Sequence, residues 1–515
     1  MTQKCSKRVF LKRASSLAIY PGLVTGMSAE AHAQSQDPDL DELAKELAVQ
    51  SLGQIVRPGQ PEYSKIKYYN ARFDCAATKA YIRPASTEGV RKILEWAQRH
   101  RRTFAIRGAG HSFEGKSSHP DLVIDMSRLG RLNFKGDGTL EVEAGVVLGD
   151  VYNTLSAAGY VLPAGTCPTV GIVGHTLGGG IGDFLPMFGY AAQSLTAATL
   201  VTMAGSILKV SDEAIEVLGG SPMPASDLKA RDLMKVLRGG GQGSVGIVTN
   251  MIFKTYDVRA AKLASFRLDG ANGVSPRRSI AIIQTWQAWR ESLPKTMQGL
   301  VSSKLNLSRS GNGYGLDIAG LIVIPSTSNV AMADVRQTLN GLFQTPEFEK
   351  KDFSKSLNAA GAIKTFLDDD ETSHNRKRKM LYGSSSALPA ALPAPAVDYL
   401  IRSLTDSIFA SFYTSGGNSK AGPETSLHPS EFLIEWSTYS SRRNPDAPRR
   451  IRAINSEVMK LSGFQDHAFP NYPDDQFRDY FPNRPQVELV KNLLDPAALS
   501  TSSLLREPRP AGDCR

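Results

Sequence analysis

Three glycine clusters in the first half of the chain restrict its fold more than any other feature. They read R-G-A-G-H-S at 107–112, G-T-C-P-T-V-G-I-V-G-H-T-L-G-G-G-I-G at 165–182 and R-G-G-G-Q-G-S-V-G-I-V-T at 238–249. Glycine lets the backbone turn sharply and lie close to a ligand. Three such loops, rich in unobstructed backbone N–H groups, suit a large, extended, phosphate-bearing cofactor. The second loop is not the dinucleotide fingerprint G-x-G-x-x-G.

The segments around these loops alternate between strand and helix patterns. Ser86 is placed to cap a helix whose apolar positions Val90, Ile93, Leu94 and Ala97 follow the helical period. Residues 103–107 and 122–126 read as buried strands. Leu140, Val142 and Ala144 alternate with Glu141 and Glu143, as in a half-buried strand. A helix over 147–158 should stop at Gly159. Stretches 195–210 and 245–256 are β-rich, and 34–60 reads as a polar lead-in. From 259 to 455 the residues themselves suggest long amphipathic helices and a Pro/Ala-rich loop at 387–395.

Gly110 to Ser117 also spells G-x-x-x-x-G-K-S, the spacing of a nucleotide-triphosphate P-loop. A P-loop needs a helix directly behind it, because the helix N-terminus binds phosphate. Here Ser118, His119 and Pro120 follow, then the strand-like Leu122-Val123-Ile124-Asp125. Pro120 disfavours helical angles at His119, so a nucleotide hydrolase is rejected.

The first 33 residues read as an export signal. Lys4, Lys7, Arg8, Lys12 and Arg13 precede a weakly apolar run, and Ala31-His32-Ala33 offers a cleavage site. Ser6-Lys7-Arg8-Val9-Phe10-Leu11-Lys12 resembles a twin-arginine signal with Lys7 in place of the first arginine. Periplasmic or secreted localisation, through the twin-arginine machinery, is therefore expected. Removing the segment takes away five basic residues and Glu30, lowering the net charge from +10 to +6. That charge is too mild to argue for nucleic acid, and the lone basic run 376–379 is better read as a solvated loop. No later stretch is apolar enough to span a membrane. Of the four cysteines, Cys5 leaves with the signal, and whether Cys75 and Cys514 pair is open. No Cys or His spacing suggests a metal, and none is expected.

The three glycine motifs together, with Asn471-Tyr472-Pro473-Asp474, Val490-Lys491 and Asp495-Pro496 near the C-terminus, closely resemble the berberine-bridge-enzyme-like oxidases of the vanillyl-alcohol-oxidase superfamily. The resemblance implies an α+β fold: a two-part FAD-binding domain, with 60–258 rejoined by 456–515, and a substrate domain at 259–455 whose antiparallel sheet is covered by helices. It implies FAD joined covalently to His111 and also to Cys167. Arg107, Gly108, Ala109, Gly110, Ser112, Gly171, Gly174, His175, Gly178, Gly179, Gly180, Gly182, Gly246, Ile247, Val248, Asn471 and Tyr472 would make up the rest of the cofactor site. The implied activity is hydride transfer from an alcohol, sugar or secondary-metabolite carbon to FAD and then to O2. A dehydrogenase with another acceptor, or a flavin-holding protein without turnover, is the alternative.

Such chemistry needs a base. Family members often place a tyrosine where this chain has Phe469, which carries no exchangeable proton. Glu435, in Phe432-Leu433-Ile434-Glu435-Trp436, and Tyr472 are the candidates instead; a carboxyl desolvated beside Trp436 would have a raised pKa suited to a base. Pro186 and Gln193 replace an expected Arg and Asp.

Overall fold

The computed structural model describes residues 37–505, apart from 74–77, 224–226, 271–272, 367–379, 418–420, 441–443, 445 and 475–477. The export signal, Cys5, Cys75, Cys514 and the basic run 376–379 lie outside the described residues. No described helix is long and apolar enough to cross a membrane.

The N-terminal part holds two large sheets, besides a short antiparallel pairing of Tyr160–Val161 with Tyr256–Asp257. One has four strands in the order Gly53–Val56, Ala80–Pro84, Leu122–Asp125, Phe104–Arg107. Its last three strands run parallel, and the first pairs antiparallel with the second. The other has six antiparallel strands in the order Ile215–Gly220, Ser206–Ser211, Leu195–Val201, Ile247–Lys254, Thr139–Glu143, Leu132–Phe134. Between them runs the helix Thr87–Arg99, with the Ser86 side chain accepting from Gly89 N–H as expected. It buries Val90, Ile93, Leu94, Trp96 and Ala97. Each large apolar side chain among these contributes about 1.5–3 kcal/mol on burial. The helix Leu148–Ala157 ends before Gly159, whose φ is 78°.

The expected polar lead-in is ordered instead. Asp37 caps a helix Pro38–Val49, which buries Leu40, Leu43 and Leu47. The indole of Trp96 donates to Asp39 O at 3.0 Å, tying this helix to Thr87–Arg99. The cap and the Leu40/Leu43/Leu47 spacing were visible in the sequence, but acidic residues between them masked the stripe.

The second part corrects the helical impression left by residues 259–455. It is built on a seven-stranded antiparallel sheet, ordered Phe348–Leu357, Lys262–Gly270, Gly313–Ile324, Lys304–Ser310, Phe409–Thr414, Phe432–Ser440, Met380–Leu388. Helices Pro276–Ser292, Ala394–Ser403 and Ala447–Ser462 cover one face and share a core with it through Trp286, Val397, Val458, Phe412 and Trp436. The Pro/Ala-rich stretch is shorter than expected: Ala387 and Leu388 close a strand, and Ala394 opens a helix.

The C-terminal segment returns to the first part. Phe104 N–H donates to Leu499 O and Thr501 N–H to Phe104 O, so 499–501 extends the edge of the four-stranded sheet. Ser502 Oγ accepts from Ile106 N–H at 2.8 Å.

Candidate active site

A cleft of about 610 Å³ lies between the glycine loops and the uncovered face of the seven-stranded sheet. Strand alternation decides what faces it. Ile434 and Trp436 are fully buried in the helical layer, so Glu435 between them points the other way, into the cleft. The same alternation turns Lys304, Asn306, Ser411 and Tyr413 toward it. Across the sheet, Glu435 is level with Ser411, Ser411 with Asn306, and Asn306 with Asp317. Ser411 Oγ donates to Asn306 Oδ1 at 2.8 Å and Asn306 Nδ2 to Asp317 Oδ2 at 2.8 Å.

Glu435 is 8% exposed. Tyr413 OH donates to its Oε2 at 2.9 Å. Burial raises the carboxyl's pKa above the ordinary value; Lys304 and the Tyr413 hydrogen bond pull it back part of the way. Tyr472 stands beside this pair: burial, then the nearby carboxyl of Glu435 and Cys167, push its phenol far up. Asp183 also lines the cleft, and burial lifts its carboxyl to about 6 despite Lys304.

On the opposite wall, Gly108, Ala109, Gly110, His111, Ser112, Cys167, Gly171, Gly174, His175, Gly182, Gly246, Ile247, Val248 and Asn471 all line the cleft. The His111 ring stacks on Tyr69 with 4.5 Å between centroids, and its Nε2 lies 2.9 Å from Thr169 Oγ1. The turn that aims it passes through Gly110 at φ 82°. His175 accepts from Gly165 N–H through Nε2 at 2.9 Å, and burial lowers its pKa to about 4. Its neutral ring thus anchors the start of the loop that carries Cys167.

Arg107, Gly178, Gly179 and Gly180 are not brought into the wall. Arg107 forms a buried ion pair with Asp125 at 3.0 Å and donates to Lys67 O, fixing the strand from which the first loop springs. Gly180 N–H donates to Asn471 Oδ1 at 2.8 Å, and Asn471 Nδ2 donates to His175 O at 3.1 Å. A side chain at Gly178 would come within 2.3 Å of Asn471 Nδ2. These glycines let the C-terminal segment dock on the second loop.

No helix follows the G-x-x-x-x-G-K-S stretch: Ser118 N–H closes a turn on Gly115 O, and the next element is the strand Leu122–Asp125. Lys116 nevertheless lines the cleft. Lys116, Asp183, Lys304, Asn306, Asp317, Ser411 and Tyr413 were not singled out from the sequence; only the alternating L-N-L-S of 305–308 hinted at a two-faced strand.

The residues present fit FAD. A side chain on Gly174 would meet nothing within 4 Å and one on Gly108 only Ala144 O at 3.7 Å, so both glycines open onto space rather than onto neighbouring protein. Bare backbone along a long cleft, with Lys116 in its wall, is a cradle for a pyrophosphate-bearing cofactor.

The comparisons with known proteins agree. A family model described as an FAD binding domain matches residues 78–211. The uncharacterized FAD-linked oxidoreductase YgaK of Bacillus subtilis is 35% identical over 212 residues, covering 41% of this chain and 43% of that protein. The FAD-linked oxidoreductase easE of Trichophyton verrucosum is 25% identical over 465 residues, covering 81% and 72%. Among solved structures, Physcomitrella patens BBE-like 1 superposes with a TM-score of 0.73 at 21% identity, covering 91% of this chain and 99% of that one. The glucooligosaccharide oxidase of Acremonium strictum gives 0.72 at 18% identity, covering 91% and 99%. With the glycine loops, the cleft and the two-part architecture in place, the chain carries an FAD-binding domain, is similar in sequence to FAD-linked oxidoreductases, and shares the fold of BBE-like 1.

Proposed function

We propose that the protein is an exported FAD-dependent oxidase acting on an alcohol, sugar or secondary-metabolite carbon, with Glu435 as its base. The observation that carries this reading is the buried Glu435 carboxyl, bonded to Tyr413 and set in the same cleft as Tyr472, His111 and Cys167. FAD bound there would supply the hydride acceptor, with O2 as the final acceptor of the two electrons and two protons, giving hydrogen peroxide. The substrate loses a C–H bond as hydride and an O–H proton, and a C=O bond forms. Glu435 takes that proton. Because Oε2 already accepts from Tyr413, Oε1 is the oxygen assigned to the task. Tyr472 orients the substrate hydroxyl as a hydrogen-bond partner.

We assign His111 and Cys167 as the residues bonded to the flavin. Thr169 engages His111 Nε2 at 2.9 Å, which orients the ring in the cleft. The glucooligosaccharide oxidase structure is titled for a 6-S-cysteinyl, 8α-N1-histidyl FAD, which supports the assignment by likeness. Two bonds would raise the flavin's potential and favour poor hydride donors. Phe469 does not weaken the reading, because its side chain packs among Leu185, Tyr190 and Leu433 and does not line the cleft. The proposal includes export through residues 1–33, by a route that carries folded, cofactor-loaded cargo.

A screen of alcohols, mono- and oligosaccharides and phenolic metabolites, read by anaerobic flavin bleaching and by peroxide on re-aeration, tests it. Bleaching with peroxide supports an oxidase. Bleaching with dye reduction but no peroxide would make the protein a dehydrogenase. No bleaching by any donor would leave a flavin-holding protein without turnover.

A further inference from the structure

Outside the cleft, two histidines and an aspartate meet at the neck of the loop that carries Asn471 and Tyr472. His467 and Asp479 sit side by side where that loop begins and ends: they form a parallel β-bridge, and Ala468 N–H donates to Asp479 O at 2.9 Å. His428 comes from the segment leading into the strand Phe432–Ser440. His467 Nδ1 is 2.9 Å from Asp479 Oδ2, and His428 Nε2 is 3.4 Å from the same oxygen. One ligand atom from each of the three lies within 4.8 Å of the other two.

One atom in this group is unexplained. His428 has a side chain 7% exposed, and its buried Nε2 makes no well-formed hydrogen bond, Asp479 Oδ2 lying 3.4 Å away. A buried ring nitrogen left unsatisfied is uncommon and calls for a ligand. We propose that His428, His467 and Asp479 bind a divalent transition-metal ion of the zinc type, which clips the segment leading to Asn471 and Tyr472 to the sheet. Two imidazoles and a carboxylate, with water in the fourth position, are a donor set that suits zinc. Donors about 2.0–2.1 Å from a tetrahedral ion stand roughly 3.3 Å apart, and the separations of 2.9 and 3.4 Å bracket that distance.

The imidazole rings are stacked, with 3.8 Å between centroids and 13° between planes. Parallel rings do not aim their in-plane lone pairs at one point, so binding requires one ring to tilt. His467 is the ring free to do so: its side chain is 26% exposed, against 7% for His428. The clip holds structure rather than performing chemistry. His467 O accepts from Ala387 N–H at 2.8 Å, so the ion would fasten this end of the loop to the strand Met380–Leu388. No metal-ligand spacing shows in the sequence, because the ligands come from two separate segments, around 428 and around 467–479.

The test uses untagged, flavin-loaded full-length protein, incubated with zinc chloride and dialysed against metal-free buffer before elemental analysis. Wild type should retain about one zinc per chain. His467→Ala and Asp479→Asn, both at partly exposed side chains, should retain less than about a tenth of that. Zinc should also raise the Tm of wild type and leave that of His467→Ala unchanged. A wild type that keeps no zinc, or variants that keep as much as wild type, would overturn the proposal. Unaltered circular dichroism and flavin absorbance in the two variants exclude misfolding as the cause of zinc loss.

Discussion

Replacing Glu435 with glutamine separates a catalytic carboxyl from a merely structural one. The substitution keeps the shape and an oxygen to accept from Tyr413, and removes only the ability to take a proton. Loss of a positioned base typically costs 10²–10⁴-fold in rate, which corresponds to about 2.7–5.5 kcal/mol of barrier. Stability should move the other way. Burial raises the Glu435 pKa in the folded protein, so the folded state binds this proton more tightly than the unfolded chain does. The stabilisation it gives is complete below the ordinary carboxyl pKa and is lost as pH rises through the raised folded value. Above that raised value wild type carries a buried charge that Glu435→Gln lacks. The variant's Tm should therefore equal or exceed that of wild type at pH 8, with the advantage shrinking toward pH 4. The assay is anaerobic stopped-flow reduction of the flavin by the best donor, paired with thermal melts across that range. A variant reducing within threefold of wild type, or one as slow as expected but destabilised at every pH, would refute the reasoning.

Three further outcomes follow from the same geometry. Tyr413→Phe removes the hydroxyl that holds the Glu435 carboxyl down, so the acid limb of kcat/KM should move to higher pH; an unmoved limb would exclude Glu435 as its source. Arg107→Ala leaves Asp125, 1% exposed, with Arg83 at 3.4 Å as its cationic neighbour among the described residues. Urea unfolding should show a loss of about 3–5 kcal/mol, and a loss under about 1 kcal/mol would mean that water or Arg83 replaces the pair. Cys167→Ala should keep the flavin attached through His111, and His111→Ala should keep it through Cys167. Only the double variant should release all colour on denaturation, and mass spectrometry of flavin peptides reads each bond separately.

The first half of the fold was legible because local signals there agree with tertiary need. Ser86 caps its helix, Gly159 follows its helix end, and Pro120 forbids the helix that a P-loop requires. The second sheet was far less legible. Its edge strand Met380–Leu388 carries three consecutive serines that are all fully buried, so it shows no polar–apolar alternation. Their hydroxyls are satisfied from elsewhere: Ser384 by Asp474, Ser385 by Phe469 O and Ser386 by Asn455. A strand whose polar groups are paid for by distant residues cannot be read from its own pattern.

The cleft divides in the same way. The cofactor wall was visible because bare glycine backbone leaves a mark in the sequence. Arg107, Gly178, Gly179 and Gly180 carry that mark too, yet they support the wall instead of forming it, since docking a segment also demands glycine. On the substrate side Glu435 stood out beside Trp436. Tyr413 and Lys304 did not, because their role depends on strands being neighbours across the sheet.

The most direct test of the account is the absorbance of purified protein before and after acid precipitation. The proposed bonds from His111 and Cys167 to the flavin should give a yellow protein whose colour stays with the pellet. Colour passing wholly into the supernatant would contradict the covalent assignment while leaving the cradle intact. Protein that shows no flavin absorbance even when FAD is supplied during expression would contradict the central claim that this cleft holds FAD.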